Sequence, residues 1–268
     1  MGIKSIKNKE KIVEVLEKKG VISVSELAPI LKVSEFTIRR YLEELEKEGI
    51  LIRTYGGAVK KDNGISSGFF FGEKAKKNIN EKKLIAELAF SLIKDGETIF
   101  LDTGTTTLEI ARLLKRGEKN LVVATNSFPV VSELSQVSYI KVFVIGGFLR
   151  NTLMDFAGPF STEEIGILSF DQAFLGADGI SADRGLTTTD TTSAEIEEAV
   201  MDRARTINIV ADFSKIGRDS LIPYGRMKER KNIRIITDFR ANKKELKKIQ
   251  DAGIEVKIAY PIEKVGRK

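Results

Sequence analysis

The chain has 268 residues, of which 42% are apolar and 31% charged, and its formal net charge is +6 at pH 7. It contains neither cysteine nor histidine, which excludes disulfides, thiolate or imidazole metal sites and serine–histidine nucleophile pairs. We expect no metal and no cofactor. No apolar run is long enough to cross a bilayer, so we also expect a cytoplasmic protein with no membrane partner. Four of the six net positive charges fall in residues 1–61, where a nucleic-acid-binding module would carry them.

Two kinds of hydrophobic periodicity divide the chain. Residues 1–59 combine short amphipathic helices with a β-ribbon. Residues 73–268 alternate apolar strands with amphipathic helices, which is typical of an α/β domain. Between them, residues 60–72 are rich in glycine and serine and keep no regular period, so we predict a linker there. The predicted fold class is therefore α/β, with a small N-terminal domain before the larger one.

The N-terminal domain is predicted to contain three helices and a hairpin. The predicted bounds are residues 7–18, 26–31 and 35–48 for the helices and 50–53 and 58–59 for the strands. Ser25 and Ser34 are the expected N-caps of the second and third helices. Two helices joined by a tight turn and followed by a glycine-tipped ribbon are typical of a winged helix-turn-helix.

The third helix is predicted to read DNA. Its buried face is formed by Ile38, Leu42 and Leu45, so Arg39, Arg40 and Tyr41 should face elsewhere. The N-terminal half of such a helix enters the major groove, where arginine pairs with guanine. The alternative for an arginine pair on a helix is an ordinary solvated surface. The predicted DNA-binding residues on the helix, its cap and the wing are Ser34, Thr37, Arg39, Arg40, Arg53, Tyr55 and Lys60.

The strongest chemical pattern in the second domain follows its first strand, residues 98–101. The segment Asp102-Thr103-Gly104-Thr105-Thr106-Thr107 opens a helix that runs through Leu114. A glycine lets the backbone approach a ligand, and the N–H groups at the start of a helix bind anions. The segment is neither a Walker motif nor a dinucleotide fingerprint, because the glycine spacing is missing. A threonine-rich turn that only caps the helix is the alternative.

Five further apolar strands also end in small or polar residues. Their ends include Thr125-Asn126, Gly146-Gly147, Asp178-Gly179, Lys215 and Thr237-Asp238. Ligands of open α/β sheets bind at the carboxyl ends of the strands, so these ends are predicted to converge on one pocket. For any single strand end, an ordinary turn is the simpler explanation.

Two stretches of the chain resemble the DeoR family of bacterial repressors. Residues 21–59 resemble the family's winged helix-turn-helix, whose pattern has a VS turn, a TIRRDL helix and an arginine before HGGA. Here Tyr41 replaces the aspartate and Tyr55 replaces the histidine. The segments LDTGTTT, VVATNS, VIGGFLR, AFLGADGIS, GLTTTD, DFSKIG and IITD resemble, in order, the family's sensor domain, a relative of the ribose-5-phosphate isomerase fold.

This resemblance implies a function and a set of effector-binding residues. The implied protein is a repressor of a carbohydrate operon, a homo-oligomer (dimer or tetramer) that binds double-stranded operator DNA and responds to a phosphorylated sugar. The implied effector-binding residues are Asp102, Thr103, Gly104, Thr105, Thr106, Thr125, Asn126, Gly146, Gly147, Asp178, Gly179, Glu195 and Lys215.

Some assignments keep alternatives. Lys215 is the expected partner of a phosphate, but it could equally bridge to Asp212, and Gly146 and Gly147 could serve only a backbone turn. Glu197 stands where the family has a lysine, which reverses a charge near the expected pocket. The alternative function is a sugar-phosphate isomerase with a DNA-binding appendage, and activation instead of repression is also compatible with the sequence.

Overall fold

The computed structural model describes residues 3–19, 21–54, 56–60, 66–225 and 227–261. The chain divides into two compact units, Met1–Gly72 and Glu73–Lys268. Tyr55 and the middle of the predicted linker, residues 61–65, lie outside the described residues.

The N-terminal unit packs three helices against a small β-sheet. Its elements are α1 (Ile3–Lys19), β1 (Val21–Ser23), α2 (Val24–Leu31), α3 (Glu35–Lys47), β2 (Leu51–Thr54) and β3 (Gly57–Lys60). The strands form an antiparallel sheet in the order β1-β3-β2. Apolar side chains at helical spacing meet in one core, which includes Ile12, Leu16, Leu27, Ile38 and Leu42. This arrangement is the predicted winged helix-turn-helix.

Two predictions within this unit are wrong. Helix α2 begins at Val24, because Ser23 and not Ser25 is its N-cap: the Ser23 hydroxyl accepts a hydrogen bond from the Glu26 N–H at 3.1 Å, and the Glu26 carboxylate accepts one from the Ser23 N–H at 3.0 Å. Tyr41 is only 6% exposed and lies in the core. The buried stripe of α3 is wider than predicted, since Tyr41 lies one turn from both Ile38 and Leu45.

The C-terminal part of the predicted linker is helical. Helix α4 runs from Ser66 to Lys76, where the sequence predicts irregular chain. The glycines and serines in this stretch lower helix propensity without preventing a helix.

A parallel sheet forms the centre of the C-terminal unit. After α4, the elements are α5 (Ile79–Leu92), β4 (Thr98–Leu101), α6 (Thr105–Leu114), β5 (Leu121–Thr125), α7 (Phe128–Leu134), β6 (Ile140–Val144), β7 (Phe148–Arg150), β8 (Asp155–Ala157), α8 (Pro159–Gly166), β9 (Phe170–Leu175), β10 (Gly179–Ser181), β11 (Gly185–Thr188), α9 (Thr191–Arg203), β12 (Ala204–Val210), β13 (Ile222–Tyr224), β14 (Ile233–Asp238), α10 (Lys243–Asp251) and β15 (Glu255–Ala259). Seven strands pair in the order β15-β14-β12-β9-β4-β5-β6, and every pairing among them is parallel.

The strand order creates a switch point between β4 and β9. From β4 the chain adds β5 and β6 on one side. It then returns to place β9 on the other side of β4 and adds β12, β14 and β15 beyond it. Neighbouring connections leave in opposite directions at such a point, which opens a crevice at the carboxyl ends of the two strands. The segments that begin at Asp102 and Gly176 border this crevice.

The central strands are almost wholly apolar, as in a sheet covered on both faces. Ile99, Phe100, Ala173 and Phe174 are fully buried. The smaller sheets, β7-β8 and β10-β11-β13, are antiparallel. Within the described ranges, no helix combines the length and apolar character that a membrane span requires.

Candidate functional site

The N-terminal half of α3 presents two arginines to solvent. The side chains of Arg39 and Arg40 are 50% and 58% exposed, and each lies 3.8 Å from a glutamate one turn away, Glu35 and Glu44 respectively. Ion pairs of this length at the protein surface are weak. The helix begins at Ser34, whose hydroxyl accepts a hydrogen bond from the Thr37 N–H at 3.3 Å.

The wing is held against α3 through Arg53. Its backbone N–H donates to the Glu46 carboxylate at 2.8 Å, and its guanidinium lies 3.9 Å from the same carboxylate. Lys60 ends β3, but its side chain, like the whole of Tyr55, lies outside what the structure describes. The described wing residues are therefore positioned next to the predicted reading helix.

The loop after β4 has the geometry of an anion-binding helix start. Gly104 is the N-cap of α6, and no side chain caps its N–H groups. The Thr107 hydroxyl is bound locally, since it lies 2.6 Å from the carbonyl oxygens of both Asp102 and Gly104. Of the three threonines that open the helix, Thr105 and Thr106 are left to offer hydroxyls to a ligand.

The loops after β4 and β9 touch each other. The Gly176 N–H donates to the Asp102 carboxylate at 2.9 Å, and the Tyr224 hydroxyl donates to the Gly176 carbonyl at 2.7 Å. A Cβ added at Gly104 would lie 3.9 Å from the Gly176 Cα, so the two backbones approach closely. Burial raises the pKa of Asp102, although hydrogen bonds from the backbone N–H groups of Gly176 and Thr103 act to lower it.

Two lysines share the Asp178 carboxylate beside this crevice. Lys74 Nζ lies 3.2 Å from it and Lys215 Nζ 3.7 Å, while the Thr189 hydroxyl donates to it at 2.9 Å. Burial alone would raise the pKa of Asp178, but Lys74, Lys215 and Thr189 together lower it to about 2. Lys215 thus has an ion pair with Asp178, whereas the alternative from the sequence was Asp212.

A third lysine, Lys82, lies close to Lys74 and, unlike it, is buried. Lys82 is only 4% exposed, and its ammonium donates to the Lys74 carbonyl. Burial lowers the pKa of Lys82 to about 8 and also lowers the pKa of Lys215, which Lys74 lowers further. Asp178, Asp212 and Glu109 are the acids that interact electrostatically with these lysines. An anion that binds here would compete with these acids for the ammonium groups.

A buried ion-pair network supports the start of α9. Arg150 donates to both oxygens of Asp155, at 2.8 and 2.5 Å, and to Asp190 at 2.5 Å. Asp190 in turn caps α9 by accepting the Ser193 N–H at 2.8 Å. With a further bond to the Ser193 hydroxyl at 3.2 Å, four of the five N–H donors of Arg150 are in use, so this arginine mainly positions the helix.

Packing alone accounts for two of the predicted glycines, Gly147 and Gly179. A Cβ at Gly147, which has φ of +141°, would lie 2.7 Å from the Ser161 hydroxyl, and one at Gly179 would lie 2.4 Å from the Arg218 carbonyl. The Gly146 N–H donates to the Glu164 carboxylate at 2.8 Å. These contacts fit the alternative in which Gly146 and Gly147 serve a backbone turn.

The two glutamates of α9 differ in their surroundings. Glu195 is exposed, whereas Glu197 is only 6% exposed, and its Oε2 has no hydrogen-bond partner in the described part of the chain. Burial, and then Asp102, raise the pKa of Glu197 well above its usual value. Asn126, which follows β5, is similarly buried, and its Oδ1 is also unpartnered among the described residues.

Lys74, Lys82 and Arg150 are absent from the predicted site, whereas the sequence already indicates that Glu197 lies near it. For Lys82 a signal was available: it lies on the buried stripe of α5, at i, i+3, i+4 and i+7 with Ile85, Ala86 and Ala89. A lysine on an apolar stripe is rarely buried without a purpose. Lys74 carries no comparable local signal, because Asp178 is 104 positions away, whereas Arg150 ends the VIGGFLR segment and pairs with Asp155 five positions further on.

A winged helix-turn-helix together with a separate α/β unit that has an anion-suited crevice defines a ligand-responsive transcriptional regulator. Two family models match the chain: the DeoR-like helix-turn-helix domain over residues 9–63 and the DeoR C terminal sensor domain over residues 77–239. The chain belongs to the DeoR family of transcriptional regulators.

Curated relatives match along most of their length. The chain is 32% identical to the HTH-type transcriptional regulator GlpR of Haloferax volcanii, over 92% of this chain and 95% of that protein. It is 33% identical to the regulator GolR of Listeria innocua, over 93% and 96%. It is also 29% identical to the lactose phosphotransferase system repressor of Staphylococcus epidermidis, over 82% and 87%.

Solved structures also match the chain. A ribose 5-phosphate isomerase from Methanocaldococcus jannaschii is 24% identical, with a TM-score of 0.39, over 52% of this chain and 55% of the isomerase. With a TM-score this low, the similarity supports no argument about function.

Proposed function

We propose that this protein is a cytoplasmic, homo-oligomeric repressor of a carbohydrate operon. It binds double-stranded operator DNA through α3 and the wing, and a phosphorylated sugar in the crevice between β4 and β9 lowers its affinity for that DNA. The name of the lactose phosphotransferase system repressor supports the carbohydrate assignment. A dimer or tetramer supplies the paired reading helices that repeated half-sites require.

The observation that carries the effector assignment is the meeting of Lys74, Lys82 and Lys215 beside the start of α6. A phosphate in this position would accept hydrogen bonds from ammonium groups and from the N–H groups of Thr105 and Thr106. It would also compete with Asp178 for two of the lysines, which are 3.2 and 3.7 Å from that carboxylate. The proposed effector-binding set therefore consists of the predicted residues of the loop after β4, residues 102–106, together with Lys74, Lys82 and Lys215.

Lys74 offers a route from the effector to DNA. It lies two residues beyond the end of the N-terminal unit, in helix α4, which includes residues of both units. A ligand that draws Lys74 away from Asp178 changes the contacts of the segment that leads from the DNA-binding unit. Such a change alters operator affinity only if the ligand binds the DNA-bound and the released states of the protein with different affinities.

One observation favours the isomerase alternative. Asp102 and Glu197 are buried carboxyl groups with raised pKa values beside the crevice, and groups of this kind serve as general acids and bases. We nevertheless propose binding without turnover, because the curated relatives are named as regulators. Incubation of the full-length protein with ribose 5-phosphate, followed by assay for the ketose, separates the two: formation of the ketose would establish an enzyme.

Thermal unfolding of the full-length protein tests the effector assignment. With ribose 5-phosphate, glucose 6-phosphate and fructose 6-phosphate as probes, we expect at least one to raise the unfolding temperature, because a ligand at about 100 times its Kd adds roughly 2.7 kcal/mol of stability. Lys215→Met should remove the shift. Lys247→Met, an exposed lysine of α10, is the matched control and should retain it. An equal shift in both variants would contradict the assignment.

A further inference from the structure

The first turn of α3 carries a large apolar side chain that the core does not use. Phe36 is 79% exposed, whereas the other exposed large apolar side chains in the described part of the N-terminal unit, Ile6, Ile30 and Ile50, are exposed at 47%, 43% and 41%. Partial exposure of single apolar residues is common at protein surfaces. A phenylalanine that leaves most of its ring in water is different, because aromatic rings contribute mainly through burial in a core or an interface.

Phe36 lies on the face of α3 that points away from the core. An α-helix turns about 100° per residue, so the buried residues Ile38 and Leu45 lie about 160° and 180° from Phe36 around the helix axis. Arg39 and Arg40 lie within about 60° of it, one turn further along the helix. The ring therefore shares the solvent-facing surface of α3 with two exposed arginines.

The surroundings of Phe36 indicate what covers its ring. The start of α3 and the two arginines suit DNA, and a reading helix places its first turn against the edges of the bases in the major groove. The apolar group that a base pair presents there is the C5-methyl group of thymine. The edges of the other bases offer donors and acceptors, which a phenyl ring would separate from water without replacing the lost hydrogen bonds.

We propose that Phe36 contacts the methyl group of a thymine in the operator and so determines the base at one position of each half-site. This inference rests on the proposed function, which places α3 against operator DNA. Side chains three positions apart on a helix are separated by about 5–6 Å, and successive bases rise by about 3.4 Å. The thymine should therefore lie within about two base pairs of the guanine that Arg39 contacts.

Replacement of thymine by deoxyuridine tests the inference, because it removes the methyl group and leaves base pairing unchanged. The full-length protein first selects its binding sites from a library of random-sequence duplexes. In a duplex of the selected sequence, each thymine is then replaced in turn by deoxyuridine, and affinity is measured by fluorescence anisotropy at fixed salt. We expect one position per half-site to weaken binding about fourfold, the effect of burying one methyl group, and replacement in two half-sites to weaken it about 15-fold.

Substitutions at position 36 assign this effect to the ring. Phe36→Ala should bind the thymine and deoxyuridine duplexes with equal affinity, and Phe36→Leu, which keeps an apolar side chain, should retain most of the difference. The exposed position makes both variants compatible with folding. Ile50→Ala removes a less exposed apolar side chain outside α3, so it is the matched control and should distinguish the two duplexes as the unsubstituted protein does.

Equal affinity for thymine and deoxyuridine at every position would overturn the inference and leave the proposed function in place. A difference that survives in Phe36→Ala would overturn it as well, because another residue would then contact the methyl group. If Phe36→Ala instead lowered the oligomeric mass measured by light scattering and left the difference unchanged, the ring would belong to an interface between copies of the chain. If the library yielded no preferred sequence, the proposed function would fall, and the inference with it.

Discussion

Arg39 and Arg40 are neighbours on α3 with different surroundings. Arg40 lies 5.7 Å from the centre of the Tyr41 ring and near Glu44, whose carboxylate is already bound by Lys9 at 2.7 Å. Arg39 pairs with the exposed Glu35 on the first turn of the helix. Because the first turns of a reading helix enter the major groove, Arg39 is the better candidate for a base contact.

Replacing Arg39 by alanine should weaken specific binding most. We expect affinity for an operator fragment to fall by about 5–150-fold, which corresponds to the 1–3 kcal/mol of one base contact, and affinity for random DNA to fall less. Fluorescence anisotropy at fixed salt measures both affinities. Lys47→Ala, an exposed lysine on the last turn of the same helix, is the control and should change neither by as much. Equal losses on both DNAs would make Arg39 a phosphate contact only.

At the scale of single elements, the cap of α2 offers a sharp comparison. Ser23 and Ser25 are both serines near the helix start, and their hydroxyl oxygens lie 3.0 Å apart. Only Ser23 forms the reciprocal pair of hydrogen bonds with Glu26. Ser23→Ala should therefore cost about 1 kcal/mol, and Ser25→Ala much less. Hydrogen exchange of the α2 amides in the full-length protein measures this cost, and similar protection in both variants would refute the assigned cap.

Much of the secondary structure could be predicted because it depends on local patterns of apolar and helix-capping residues. The apolar run at residues 98–101 coincides with strand β4, and Ser34 is the cap expected for α3. The errors arose where two local solutions compete. Ser23 and Ser25 are both plausible caps, and Tyr41 can extend a buried stripe or face solvent. Contacts with the rest of the N-terminal unit decide which serine caps α2 and which residues of α3 are buried.

The composition of the candidate site was harder to predict, for a topological reason. The residues after β4 and β9 are more than 70 positions apart in sequence, yet Gly176 donates to Asp102 because the two strands are neighbours in the sheet. Lys74 reaches Asp178 over a longer separation still. Such contacts have no period or spacing that a sequence reveals. Strand ends can be predicted, whereas charges supplied by helices that cross the sheet cannot.

At the scale of the whole molecule, we expect the two units to perform different tasks. The N-terminal unit presents exposed arginines on a helix that is capped at its start, and the C-terminal unit gathers three lysines, one of them buried, and several acids at the switch point of a parallel sheet. Each unit has a hydrophobic core of its own. A regulator results only if occupancy of the crevice changes the affinity of α3 for DNA.

Operator affinity of the full-length protein, measured with and without the sugar phosphate that stabilises it, tests this claim most directly. We expect the phosphate to weaken operator binding by roughly 5–150-fold, the usual range of coupling between two sites. We also expect Lys215→Met to remove the effect and to leave affinity without the phosphate unchanged. Identical operator affinity in the presence and absence of every stabilising phosphate would contradict the claim.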